Sequence, residues 1–254
     1  MKFICIIPSR FASTRLPGKP LIDLAGKPMI QRVYEQACKA TKTSGTVVAT
    51  DDPRIYDKVM SFGGQAVMTD KNHENGTARL AEAVGHYKDA HVVINVQGDE
   101  PLIAPEVIDA LCQAFEEDAD LQMATVGTPL QPREECLYLQ PEEYDDKGAV
   151  KVVVNKRDEA MYFSRSLIPY PRHDYTAQHG PYKHIGIYAY RRAFLLEYAN
   201  MEVTPLEATE SLEQLRVLEN GYKIKVIKTT HTFIGIDTPE DVDRVREYFA
   251  KEKV

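Results

Sequence analysis

The stretch that decides the fold is Phe3-Ile4-Cys5-Ile6-Ile7-Pro8-Ser9-Arg10, near the amino terminus. Its run of consecutive apolar residues is typical of a parallel strand buried on both faces, because a strand with one wet face alternates apolar and polar residues. The run is too short for the apolar core of a signal peptide, and no later run approaches a membrane span. We therefore expect a cytoplasmic protein whose first strand lies inside a sheet.

Composition narrows the function classes. A chain of 254 residues fits one large α/β domain, or a core with a modest second lobe. The formal net charge of −7 argues against general attraction to nucleic acid or to an anionic membrane. The cysteines form no Cys-x-x-Cys pair and have no metal-ligand spacing, so we expect buried, reduced thiols at Cys5, Cys38, Cys112 and Cys136.

Strands and helices alternate over the first 120 residues. Strands are predicted at 3–7, 46–50, 65–69 and 91–96, and helices at 28–41, 53–62, about 76–87 and about 107–115. This alternation predicts right-handed βαβ units and a doubly wound, mostly parallel sheet in a single catalytic α/β domain over residues 1–254.

The pattern changes between about residues 120 and 190. Strands predicted at 121–128, 150–154, 161–164 and 185–190 have few helices between them, and we interpret this region as a smaller β-rich lobe inserted in the domain. Helices at about 191–199 and 206–219, a strand at 223–228 and a helix from about 239 complete the chain.

A basic segment follows the first strand, at the carboxyl end where open α/β sheets bind ligands. Residues 8–20 read Pro-Ser-Arg-Phe-Ala-Ser-Thr-Arg-Leu-Pro-Gly-Lys-Pro, which is neither a Gly-x-Gly-x-x-Gly fingerprint nor a Walker A loop. Three cations within ten residues disfavour a solvated loop with incidental charges. A triphosphate needs the guanidinium, ammonium and hydroxyl groups that this loop supplies through Arg10, Ser13, Thr14, Arg15 and Lys19.

The same loop begins a pattern that extends over nearly the whole chain. Residues 6–21 and 24–30, Asn-Gly-Thr-Ala-Arg-Leu-Ala-Glu at 75–82, Asn-Val-Gln-Gly-Asp-Glu-Pro at 95–101, and residues 184–188, 212–216 and 235–241 resemble the CMP-Kdo synthetases, which are 3-deoxy-manno-octulosonate (Kdo) cytidylyltransferases. Asn75 stands where that family commonly has Ser, and residues 129–147 and 172–184 match weakly. The resemblance implies a nucleotide-diphospho-sugar transferase-like fold, and transfer of CMP from CTP to the anomeric hydroxyl of Kdo, with pyrophosphate released, in lipopolysaccharide biosynthesis.

Two aspartates are expected at the mouth of the sheet. Asp99 follows an apolar strand, and Pro101 disfavours a helix there, so the Asp99 side chain can point toward a ligand. Asp237 lies just before the last predicted helix, and the residues alone allow either a helix cap or a ligand, with Thr238 as the other possible cap. The resemblance implies that Asp99 and Asp237 both bind Mg²⁺, which prefers oxygen ligands.

The sugar acid is an anionic polyol, so its pocket needs cations and paired hydrogen-bonding groups. Arg165 ends an otherwise apolar strand and is either such a cation or a surface charge. His184 and Tyr188 are four residues apart on a predicted strand and so face the same side. The resemblance implies that the sugar-acid site contains Arg79, Gln97, Arg165, His184, Tyr188, Glu213 and Gln214.

In the implied mechanism Arg10, Lys19 and Asp99 are catalytic, because the cations neutralise the triphosphate and Asp99 holds the metal. The implied CTP site comprises Arg10, Ala12, Ser13, Thr14, Arg15, Lys19 and Gln97. Backbone amides near Ala12 are expected to form hydrogen bonds with the amide-like edge of cytosine. The family further implies a homodimer formed through the β-rich lobe.

Other functions stay open at this point. The nearest is an acylneuraminate cytidylyltransferase, whose basic loop resembles Arg-Gly-Gly-Ser-Lys rather than the sequence found here. A dinucleotide-dependent dehydrogenase lacks support because the glycine fingerprint is missing. A non-catalytic nucleotide-binding module is disfavoured by the presence of both Lys19 and Asp99.

Overall fold

The elements of the fold come from a computed structural model, which describes residues 1–12, 16–73, 75–129, 148–170, 172, 181–231 and 233–251. The strands are β1 (Phe3–Ser9), β2 (Thr43–Thr50), β3 (Ala66–Met68), β4 (Val92–Asn95), β5 (Met123–Pro129), β6 (Lys151–Val154), β7 (Ala160–Ser164), β8 (Tyr182–Arg191) and β9 (Ile224–Lys228). The helices are α1 (Met29–Ala37), α2 (Pro53–Ser61), α3 (Gly76–Val84), α4 (Pro105–Glu117), α5 (Arg192–Tyr198), α6 (Pro205–Glu210), α7 (Gln214–Glu219) and α8 (Pro239–Lys251), with a 3₁₀ turn at Lys19–Leu21.

The described strands form one mixed sheet. Its main path runs β3-β2-β1-β4-β8-β5-β9, while β6 pairs with β8 and β7 pairs with β6. β1 is parallel to β2 and β4, and β9 is parallel to β5. β8 is antiparallel to both of its main-path neighbours, β4 and β5. The predicted, mostly parallel α/β sheet is confirmed.

β1 divides the core into two halves. Its residues Phe3, Cys5 and Ile7 pack on one face of the sheet with α1, α2, α4 and α8. Ile4 and Ile6 pack on the other face with α3, α5 and α7. Because both faces are covered by helices, every residue of the run is buried, which explains why the strand shows no alternation of apolar and polar residues.

The region between residues 120 and 190 is rich in strands where the structure describes it. β5 and β8 lie in the main sheet, whereas β6 and β7 form an antiparallel hairpin attached to β8. The division into a separate lobe stays a prediction, because residues 130–147 and 173–180 lie outside the described residues.

One predicted helix is wrong in its extent. The sequence predicts a single helix at 206–219, but α6 ends at Glu210 and α7 begins at Gln214. Ser211 between them has a φ of 52°, in the left-handed region that a right-handed helix cannot include. The break places Glu213 at the start of α7 and turns the chain toward the site described below.

The cysteines follow the prediction only in part. Cys5 and Cys112 are buried, and burial raises the pKa of Cys112 to about 12. Cys38 is exposed, so the prediction of a buried thiol is wrong there, because α1 ends at Ala37 and Cys38 occupies its C-cap. Cys136 lies outside the described residues. Across the described ranges, none of the helices has both the length and the apolar character to cross a membrane.

Candidate active site

A cavity of about 730 Å³ opens at the carboxyl ends of β1 and β4, where ligands bind in open α/β sheets. The structure brings many of the predicted site residues to its walls: Arg10, Ala12, Lys19, Arg79, Gln97, Asp99, Glu213 and Asp237. Ser13, Thr14 and Arg15 lie outside the described residues, so their roles stay predictions.

Lys19 joins the two predicted metal ligands. Its Nζ donates to Asp99 Oδ2 at 2.6 Å and to Asp237 Oδ1 at 3.0 Å. The Lys19 side chain is 14% exposed, whereas those of Asp99 and Asp237 are 35% and 50% exposed. Residues distant in sequence thus place two carboxylates around one cation at an open cavity wall.

The donor set at this wall fits Mg²⁺. Asp99 and Asp237 supply hard carboxylate oxygens that already surround a positive charge. Within the described part of the chain, no cluster of three or more His, Cys, Asp or Glu side chains could hold a metal. Mg²⁺ commonly needs only one or two protein carboxylates, because phosphate oxygens and water complete its coordination.

Asp237 does not act as the helix cap. Thr238 Oγ1 accepts a hydrogen bond from Asp241 N at 3.2 Å, and the Asp241 carboxylate accepts from Thr238 N at 3.0 Å. This reciprocal pair is a capping box with Thr238 as the N-cap of α8. The two possibilities that the sequence allows for Asp237 are therefore resolved in favour of a side chain directed to Lys19.

Phe11 and Arg54 hold the basic loop, and sequence patterns alone did not indicate either residue. Gly18 N donates to Phe11 O at 3.2 Å, and a Cβ on Gly18 would lie 3.1 Å from Phe11 Cζ. Gly18 also has a φ of 69°, so a side chain there is unfavourable on both counts. The Arg54 guanidinium lies 3.4 Å from the centroid of the Phe11 ring. Phe11 is thus packed between Gly18 and Arg54, which brings the two ends of the loop together.

The start of α3 forms the opposite wall. Asn75, the departure from the family pattern, is its N-cap and accepts from Ala78 N at 2.9 Å. Arg79 lines the cavity, but its guanidinium donates to Asp51 Oδ2 at 2.8 Å and to Thr69 Oγ1 at 2.5 Å. These contacts hold Arg79 at the carboxyl ends of β2 and β3.

Two further polar residues at the site were missed by the sequence analysis. His73 lines the cavity, and its Nε2 pairs with Glu82 of α3. Glu100 has a buried Oε2 with no hydrogen-bond partner among the described residues. Burial, together with the neighbouring Asp99 charge, raises the pKa of Glu100 to about 8. The Asn-His-Glu-Asn and Asp-Glu-Pro stretches could have indicated them, but neither spacing distinguishes a site residue from a surface residue.

The structure places some of the predicted sugar-acid residues at the cavity wall and others away from it. Glu213 reaches the cavity and accepts from Thr77 Oγ1 at 2.8 Å, and burial raises its pKa. Gln214 is buried, does not line the cavity, and its Nε2 has no hydrogen-bond partner in the described ranges.

Arg165 lies away from the cavity wall. Its Nε donates to Glu210 O at 2.7 Å and its Nη2 to Ser211 O at 3.2 Å. It therefore contacts the turn that ends α6 and precedes Glu213. Its contact with a sugar acid stays a prediction.

His184 and Tyr188 lie together on β8, behind Gln97. Their ring centroids are 5.4 Å apart, which confirms that they face the same side. Neither lines the cavity, but Gln97 does, and its Nε2 donates to Gly186 O between them at 2.9 Å. Burial lowers the pKa of His184 to about 3, so this imidazole is neutral at neutral pH.

Comparison with known proteins agrees with this geometry. The family model described as Cytidylyltransferase matches residues 4–224. A 3-deoxy-manno-octulosonate cytidylyltransferase of Fusobacterium nucleatum is 52% identical over 254 residues, covering 100% of this chain and 99% of the relative. The chain belongs to the 3-deoxy-manno-octulosonate cytidylyltransferase family.

Comparison with solved structures shows that proteins outside this family share the fold. A structure of CMP:2-keto-3-deoxy-manno-octonic acid synthetase complexed with CTP matches with a TM-score of 0.89 and 44% identity, covering 99% of this chain and 100% of that chain. A 4-diphosphocytidyl-2C-methyl-D-erythritol synthase from Anaerococcus prevotii matches with a TM-score of 0.64 and 14% identity, over 98% and 99% of the two chains. At that identity the second match shows a shared fold only.

Proposed function

We propose that this chain transfers CMP from CTP to the anomeric hydroxyl of Kdo and releases pyrophosphate, as a step of lipopolysaccharide biosynthesis. The observation that carries the proposal is the position of Lys19 between Asp99 and Asp237, on a cavity wall shared with Arg10. The chain that contains this arrangement aligns over its whole length with a 3-deoxy-manno-octulosonate cytidylyltransferase.

The proposed chemistry is an in-line displacement. The anomeric oxygen attacks the α-phosphorus of CTP, the bond to the bridging oxygen breaks, and pyrophosphate leaves with the bonding electrons. Such a reaction requires positioning and neutralisation of negative charge more than any covalent participation of the protein. Arg10 and Lys19 supply fixed positive charge beside the phosphates, and Arg15 is proposed to add a third cation.

Asp99 and Asp237 are the residues that would hold Mg²⁺. When bound, the ion supplies charge neutralisation to phosphate oxygens and favours ionisation of the attacking hydroxyl. Lys19 contacts both carboxylates, so its ammonium lies beside any phosphate that binds at this wall.

The sugar acid is proposed to bind on the side of Gln97 and Glu213, which line the cavity next to the catalytic aspartates. Because His184 is neutral, the carboxylate of the sugar acid requires a different positive group. The acylneuraminate alternative is not favoured, since the similar relatives reported above carry the octulosonate name. The homodimer and the cytoplasmic location remain predictions.

Pyrophosphate release is the experiment that tests this function. With Kdo as acceptor and Mg²⁺ present, CTP should outperform ATP and GTP by about a hundredfold or more, because a site built to hydrogen-bond one base rejects another strongly. Replacing Kdo by N-acetylneuraminate should abolish release. Equal turnover with a purine triphosphate, or a preference for the neuraminate, would contradict the proposal.

A further inference from the structure

β8 contains a bulge between the two predicted sugar-side residues. In its pairing with β5, Val126 lies opposite Ile185, but the adjacent Thr125 lies opposite Tyr188. Gly186 and Ile187 are therefore additional residues on β8. A bulge of this kind disrupts the regular ladder and leaves backbone groups that need other partners.

Side chains from β5 and from the segment after β4 donate to the carbonyl groups of this bulge. Thr125 Oγ1 lies 2.8 Å from Ile187 O and 3.3 Å from Ile185 O. Gln97 Nε2 donates to Gly186 O at 2.9 Å. The bulge is therefore tied both to β5 and to the segment after β4 that contains Asp99.

The hydroxyl of Thr125 has a single proton, and its neighbours determine where that proton lies. Both carbonyl oxygens can only accept hydrogen bonds, and the shorter contact is to Ile187 O, so the hydroxyl donates there. The fourth atom in the group is His184 Nε2, at 3.0 Å from Thr125 Oγ1. Since the Thr125 proton is already used, His184 Nε2 must donate, and the proton of the neutral ring lies on Nε2.

The surroundings fix the ring as well as its proton. Thr125 is fully buried, so solvent does not compete for the hydroxyl. The His184 ring packs edge-on against Phe163 at a centroid distance of 5.0 Å and lies 5.4 Å from the Tyr188 ring. With Nε2 occupied by Thr125, Nδ1 is the remaining polar atom of the ring and has an acceptor lone pair.

We propose that Thr125 is a positioning residue that fixes the Nε2–H tautomer of His184. His184 lies behind the cavity-lining Gln97, so a hydroxyl of the sugar acid that reaches past Gln97 to this ring meets only the acceptor Nδ1. This inference rests on the proposed function for the identity of the ligand, but not for the tautomer. It assigns His184 to the recognition of a hydroxyl group and excludes it from recognition of the sugar carboxylate, which only donors or cations can bind.

Nitrogen NMR tests the tautomer directly. Protein labelled with ¹⁵N-histidine is examined at pH 7 without substrates by long-range ¹H–¹⁵N correlation, and His184→Gln identifies its signals among the seven histidines. We expect the His184 ring to be neutral, with its proton on Nε2. A proton on Nδ1, or a doubly protonated ring, would overturn the proposal. Because no substrate is present, this result does not depend on whether the chain is a Kdo transferase.

Two substitutions test the role of Thr125. Thr125→Val keeps the shape and removes the hydroxyl, so His184 should show the other tautomer or a mixture, and the KM for Kdo should rise roughly tenfold while the KM for CTP stays within about twofold. Thr125→Ser retains the hydroxyl and should restore both the tautomer and the KM for Kdo. An unchanged tautomer in Thr125→Val, or an equal rise in both KM values, contradicts the proposal.

Thr125→Val also leaves buried carbonyls without a donor, so its thermal unfolding is measured alongside. If the variant does not fold, the tautomer of the parent protein and of Thr125→Ser still decides the assignment. A parent with the expected tautomer but no transfer to Kdo would contradict the proposed function and leave the proton assignment intact.

Discussion

Two ends of the site differ in how they are built. The charged end, formed by Arg10, Lys19, Asp99 and Asp237, is partly exposed, and Lys19 pairs with both aspartates at the cavity wall. The neutral end, formed by Thr125, His184 and Tyr188, is held by ring packing and by the position of one proton.

This difference indicates that the two ends of the site have different roles in substrate binding. Partly exposed ions can exchange one partner for another at little cost, as binding of a charged substrate requires. Neutral groups that pack and hydrogen-bond to one another, as around the fully buried Thr125, have one favourable arrangement, so they recognise shape and hydrogen-bonding direction. Removing a charge at the first end should therefore change turnover and spare the fold. Changes at the second end should affect sugar affinity and stability.

The largest effect is expected for Asp99→Asn. The substitution keeps the shape of the side chain and removes the charge, so folding should survive. Losing a charged ligand of the metal should lower turnover by on the order of a hundredfold or more. Steady-state pyrophosphate release at saturating Mg²⁺ measures the effect, and thermal unfolding checks the fold.

Asp243→Asn is the matched control for this experiment. Asp243 is on α8 with a side chain that is 73% exposed, and it pairs with Arg246 rather than with the site. It should behave like the parent in both assays. Turnover of Asp99→Asn within about threefold of the parent would show that Asp99 is not a catalytic ligand.

A smaller effect is expected for Asp237→Asn, whose carboxylate is the more exposed of the pair. Turnover should fall by at least about tenfold with little change in melting temperature, because the capping box of α8 uses Thr238 and Asp241 instead. Thr238→Ala should give the opposite signature, a loss of about 1 kcal/mol of stability with turnover largely retained.

These two variants separate a metal ligand from a helix cap. If Asp237→Asn lowered the melting temperature and left turnover intact, Asp237 would be structural. Loss of turnover in Asp237→Asn should also be accompanied by a higher Mg²⁺ concentration for half-maximal rate, whereas Thr238→Ala should leave that concentration unchanged.

The charged end could be predicted because its signals are local. Arg10 comes within three residues of the end of an apolar run, which places its guanidinium at the carboxyl end of a strand. The same reasoning applies to Asp99 after β4. The family resemblance added the partner, Asp237, which local sequence left undecided between ligand and cap.

The neutral end and the supports of the basic loop could not be predicted in this way. Thr125 and His184 are 59 residues apart, and their hydrogen bond depends on a bulge in β8. Gly186 in that segment is compatible with a bulge, but one glycine does not determine the register with β5. Phe11 and Arg54 meet only after β2 and α2 have packed beside β1. The helix break at Ser211 is similar, because a left-handed serine inside an apolar helical pattern has no sequence signature.

The smallest expected effect is on the pH dependence of stability, and it tests the burial of the neutral end. The folded-state pKa of His184 is lowered to about 3, whereas the unfolded chain has the ordinary value near 6.5. Below pH 6.5 the unfolded state binds a proton at this position that the folded state does not. The contribution of His184 to stability is therefore fully present above that pH and is lost progressively as the pH falls toward 3.

Urea unfolding of the parent and of His184→Gln between pH 7.5 and 4.5 measures this contribution. Between about pH 6.5 and 4.5 the parent should lose on the order of 1–2 kcal/mol more than His184→Gln, since glutamine does not titrate. Carboxyl groups such as Glu213 titrate in both proteins, so their effects cancel in the difference. His231→Gln removes an exposed histidine and serves as the control for replacing a histidine by glutamine. Parallel curves for the parent and His184→Gln would show that His184 takes up its proton in the folded protein, so the neutral end would be open to water.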